Sequence, residues 1–185
     1  MFRWYQKATK CYIYLQDVPS RKRDNSGESA SNWGAAFCSS RWFSRGWTLQ
    51  EMIAPRSVEF FSRDQNFLGD KYSLESDIET ATGVPRTAFQ GTRLAKFEPS
   101  ERWRWVAKRQ TRRVEDKAYC MMGIFGAFLP PNYGEGEYAF HRLQKEVGSS
   151  WTLFQPAPSL LHGPGTLHKM KLMMLLRAYR SSELA

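Results

Sequence analysis

Two short runs rich in aromatic and β-branched residues do most to limit the folds open to this chain. They are "CYIYLQDV" (11–18) and "SVEFFS" (57–62). Runs of this length and composition, bounded by Pro, Asp and Ser, read as strands. Between them, "GWTLQEMIAP" carries a helical pattern. Leu49, Met52 and Ile53 share one face at about 100° per residue, and Pro55 ends the pattern. A strand, a helix and a second strand in close succession select α/β packing, with the strands side by side and helices over both faces.

Further helices are predicted on either side of this unit. "FRWYQKA" leads into the first strand, and a polar insert from Pro19 to Trp33 follows it as a surface loop. "SLESDIETATGV" has Ser73 as an N-cap, acids in its first turn and Gly83 at its end. The second half is helical by pattern. One helix starts at Ser100, a stripe combines Ala118, Met121, Met122 and Phe125, and Phe140, Leu143 and Val147 repeat that spacing. The Pro-Gly stretch "LPPNYGEGE" interrupts them as a turn, with no Lys-Ser/Thr to make it a phosphate cradle. Beyond Gly148 the chain reads as an irregular tail (148–185) with a short basic amphipathic helix, "KMKLMMLLRAYR".

The net charge of +9 is concentrated over residues 1–24 and 100–117, which favours anionic partners. No aromatic-basic RNA signature, zinc-finger spacing or basic heptad run accompanies it, so the charge does not select nucleic acid. Cys11, Cys38 and Cys120 lie far apart with no CxxC pair. This argues for a reducing setting, with Cys11 and Cys120 as small core hydrophobes, and offers no metal site. The N-terminus lacks the apolar run of a secretory signal, and no stretch approaches the eighteen apolar residues of a membrane span.

The stretch "SRWFSRGWTLQEM" raises a question of chemistry. Trp47 and Glu51, at i and i+4, share the helix face opposite Leu49, Met52 and Ile53. Two accounts stay open. In one, Glu51 is a solvated acid paired with a neighbouring arginine and Trp47 packs beneath the polar insert. In the other, both line a cleft at the end of the sheet, where α/β folds place ligands.

Four blocks in order bear on this choice: "MFRWYQKATKCYIYLQDV", "SRWFSRGWTLQEMIAPRSVEFF", "RRVEDKAYCMMGIFG" and "LPPNYGEGEYAFHRLQKEV". Together they resemble the fungal heterokaryon-incompatibility (HET) domain family across residues 1–147. The resemblance implies a partial HET-type, TIR-like α/β sheet flanked by helices, with a helical second half. It also implies a cytoplasmic effector of non-self recognition and programmed cell death in filamentous fungi. Through the distant TIR relationship, Glu51 would be catalytic in cleaving NAD as substrate, with no resident cofactor. Trp47, Arg41 and Arg45 would bind that substrate. A catalytically silent module that signals by oligomerising is the alternative, with a nonspecific anion or nucleic-acid binder behind it. Expected partners are further copies of the chain or other incompatibility and receptor proteins. The chain starts where the family's middle begins, so an exposed sheet edge, self-association and no activity of this chain alone are expected.

Overall fold

The computed structural model describes residues 1–20 and 33–154. The polar insert lies almost wholly outside the described residues, as does the basic helix expected in the tail. Two compact units divide the chain, Met1–Glu146 and Val147–Ala185. Every site discussed below belongs to the first.

Helix α1 (Phe2–Lys7) leads into strand β1 (Cys11–Tyr14). Strand β2 (Val58–Phe61) lies parallel to it, with Cys11 opposite Val58 and Ile13 opposite Phe60. Parallel pairing requires a crossover, here made by α2 (Trp33–Cys38), a 3-10 turn (Arg41–Ser44) and α3 (Thr48–Ile53). A third strand, β3 (Phe67–Asp70), then returns antiparallel on the far side of β2. This strand was not expected, because "FLGD" is short and contains a glycine.

Alternation along the strands makes the sheet one-sided. Ile13, Val58 and Phe60 are buried, whereas Tyr12 and Phe67 are 67% and 56% exposed. The ring of Phe61 lies 5.9 Å from that of Tyr12 and 5.8 Å from that of Phe67, forming an aromatic stripe on the outer face. The expectation of helices over both faces is corrected. Among the described residues, helices cover only the face that bears Ile13 and Phe60. Beneath it, Phe37 of α2 sets its ring 5.1 Å from Phe43 and 5.3 Å from Phe60. Such edge-on pairs add about 0.5–1.5 kcal/mol each beyond burial. Leu49 and Met52 complete this layer with no exposed surface.

Helix α4 (Glu75–Thr82) packs against α2 and ends at Gly83, as predicted. Its start differs from expectation. The Ser73 hydroxyl accepts from the Asp70 amide at 2.9 Å, and the Asp70 carboxylate takes the amides of Tyr72 and Ser73 at 2.9 and 2.8 Å. The carboxylate organises the turn and the helix begins after it. The short α5 (Arg86–Phe89) places Arg86 on Glu75 and Glu79 at 3.0 and 2.8 Å. Helix α6 (Pro99–Ala107) starts at Pro99, whose fixed φ suits the first helical position, instead of being capped by Ser100.

The stripe predicted from Ala118 to Phe125 is realised as two short helices, α7 (Asp116–Tyr119) and α8 (Met122–Phe125), with Ala118, Cys120 and Met121 buried. Arg102 of α6 donates to the Ile124 carbonyl at 3.0 Å and lies over the Phe125 ring. The "YGEGE" turn locks onto α7. Glu115 accepts the amides of Gly134 and Gly136 at 2.8 and 3.1 Å, and the Tyr119 hydroxyl donates to Glu135 at 2.8 Å. Helix α9 (Tyr138–Phe154) contributes buried Ala139 and Leu143 to the first unit, and His141 is exposed. Among the described residues no helix is long and apolar enough to cross a membrane.

Candidate functional site

Helix α3 owes its position to the segment just before it. The Gly46 amide donates to the Gln110 carbonyl at 2.8 Å, and the Gln110 amide donates to the Ser44 carbonyl at 2.7 Å. A Cβ on Gly46 would lie 2.5 Å from a methyl of Thr111 and 2.9 Å from the Cys120 sulfur, so this approach admits only glycine. Arg109 secures the junction. Its Nη1 donates to the Arg45 carbonyl at 2.9 Å and the Thr48 hydroxyl at 3.0 Å, while Nε donates to the Trp105 carbonyl at 3.1 Å. Arg109 is only 6% exposed, and burial pushes its guanidinium down to about 10.

The expected core face of α3 is confirmed by buried Leu49, Met52 and Ile53. Thr48 and Gln50 are buried as well, and Gln50 donates to the Cys120 carbonyl. Glu51 is half-buried, and Trp47, at the N-cap, is half-buried one turn before it. The Tyr5 hydroxyl of α1 donates to Glu51 Oε1 at 3.1 Å. Burial, the nearby Glu51 charge and this hydrogen bond push the Tyr5 phenol up to about 12. Burial and Glu51 also raise the Cys11 thiol. A carboxylate thus sits beside a phenol and a thiol that both hold their protons.

The two arginines are not drawn into this group. Arg41 points to Asp17, with its amide 2.8 Å and its guanidinium 3.8 Å from that carboxylate. Arg45 is exposed and contributes its backbone carbonyl to the Arg109 fork. No ion pair joins either to Glu51 among the described residues. Sequence reasoning missed Tyr5 and Arg109. Tyr5 lies 46 residues from Glu51, and Arg109 sits in a basic run that reads as surface charge. Only the spacing of Trp105 and Arg109, at i and i+4 on one face, hints at its burial.

A cavity of about 590 Å³ opens elsewhere, where the 38–44 segment, the end of α4 and α6 meet. Glu51, Trp47, Arg41 and Arg45 are not among its lining residues.

Over 149 residues, 80% of its length, the chain is 50% identical to "Vegetative incompatibility protein HET-E-1" of Podospora anserina. The chain spans 11% of that protein. No family model and no solved structure matches it.

Proposed function

Because the chain belongs to the fungal heterokaryon-incompatibility family, we propose that it acts in vegetative incompatibility, as the death-inducing effector part of a longer cytoplasmic protein. The identity to the Podospora protein carries this reading. The chemistry we assign is cleavage of NAD at the nicotinamide glycosidic bond. As the C–N bond breaks, its electron pair passes to the nicotinamide nitrogen, which leaves neutral and needs no strong acid. Positive charge develops on the ribose, and the Glu51 carboxylate stabilises it until water adds and loses its proton. Trp47 would stack on a ring of the substrate. Arg45, which has no acidic partner among the described residues, and Arg41, once it leaves Asp17, would meet the pyrophosphate. What supports Glu51 in this role is its half-buried position beside protonated Tyr5 and Cys11.

The test is Glu51→Gln in the full-length protein expressed in fungal cells. We expect folded protein with neither NAD loss nor cell death. Cell death at unchanged NAD would remove the enzymatic reading. It would favour a second one, a non-catalytic module that assembles with further copies or receptor proteins. That reading rests on a separate observation, the open stripe of Tyr12, Phe61 and Phe67.

A further inference from the structure

We propose that the cavity between α2, α4 and α6 binds a phosphorylated small molecule, at a site separate from Glu51. Its size comes first. About 590 Å³ falls in the range of small-ligand sites and would hold about twenty waters at ~30 Å³ each. A bare inorganic anion fills only a small part of that, which leaves room for an organic body.

Charge comes second. Arg104, in the last turn of α6, and Lys108, the C-cap that follows it, are both exposed and both line the cavity. Neither has an acidic partner among the described residues. Arg109 joins the wall, nine-tenths buried, with its Nη2 unpartnered. Of the two carboxylates in the lining, Glu79 is held by Arg86 at 2.8 Å, which leaves Glu101. Three cations against one unpaired carboxylate select an anion, and a phosphate monoester satisfies two adjacent cations better than a single carboxylate does.

The remaining lining describes the rest of the ligand. The hydroxyls of Ser39 and Ser44 donate to the Ala35 and Arg41 carbonyls at 2.8 Å each, so their oxygens remain as acceptors. They suit a body that carries its own donors, such as a sugar. Phe43 and Trp105, 5% and 3% exposed, back the cavity with apolar surface.

The experiment is calorimetric titration of the 185-residue chain with AMP, inorganic phosphate and adenosine. We expect AMP to bind at least tenfold more tightly than phosphate, and adenosine not to bind. Arg104→Gln combined with Lys108→Gln should weaken AMP at least tenfold with an unchanged circular dichroism spectrum, both side chains being exposed. Glu101→Gln should tighten it severalfold, and Glu51→Gln should leave it unaltered, which separates this site from the NAD reading. Folded chain with no heat of AMP binding at millimolar concentration would overturn the proposal, as would equal binding by wild type and the double variant. Phosphate binding as tightly as AMP would overturn the assignment of an organic body.

Discussion

Tyr5 and Glu51, forty-six residues apart, share a 3.1 Å hydrogen bond that ties the first helix to the third. The phenol is raised to about 12 from its ordinary 10.0 by burial and by Glu51. A group whose folded pKa is raised adds stability that is complete below the unfolded value. That stability is lost as pH climbs from 10 through 12. Tyr5→Phe should cost at most about 1 kcal/mol at neutral pH and flatten the alkaline stability profile. In an ultraviolet titration of the phenols, Glu51→Gln should bring one late-titrating tyrosine back toward 10. An unmoved titration curve would break the link between the two residues.

Arg109 donates to the Arg45 and Trp105 carbonyls and to the Thr48 hydroxyl, which itself donates to the Arg45 carbonyl at 2.7 Å. Arg109→Ala removes all three of these hydrogen bonds, leaves the Arg45 carbonyl to Thr48 alone and opens a void, so it should destabilise the fold by about 2–4 kcal/mol. Arg109→Lys should recover less than half of this, because an ammonium on a flexible stem cannot reproduce the guanidinium fork. Urea denaturation measures both. An unchanged midpoint for Arg109→Ala would show that the α3 junction stands without it.

Lys71 is 2% exposed and donates to the Pro55 carbonyl. Burial pushes its amine down from 10.5 to about 8. The folded state therefore favours the neutral amine. The associated stability is complete above pH 10.5, is lost as pH falls toward 8, and changes no further below that. Lys71→Met should gain about 1–3 kcal/mol over wild type at pH 7, with the gain fading by pH 10.5. Parallel stability curves for the two proteins across that range would refute the assignment.

The strands, the core face of α3 and the close of α4 at Gly83 were legible because each rests on local pattern: alternation, helical spacing and a terminating glycine. β3 was hidden by its brevity. The single covered face was hidden by Tyr12, Phe61 and Phe67, aromatic side chains that suggest burial wherever they stand. Ser73 and Ser100 looked like caps, but a carboxylate at Asp70 and a proline at Pro99 decide those turns first. Around Glu51, sequence placed the acid and Trp47 on one helix. The partner that holds the acid and the arginine that seats the helix come from distant segments, and no local pattern announces such pairings. The cavity was illegible for the same reason, since Arg104 and Lys108 look like any solvated helix face until α2 and α4 are set opposite them.

The outer face of the sheet sets two forces against each other. The aromatic stripe of Tyr12, Phe61 and Phe67 is adhesive, whereas a net charge of +9 drives identical chains apart. Ions shorten the reach of the repulsion and leave the stripe untouched. Self-association through this stripe is therefore expected to strengthen as ionic strength rises, opposite to the behaviour of a contact made by charge.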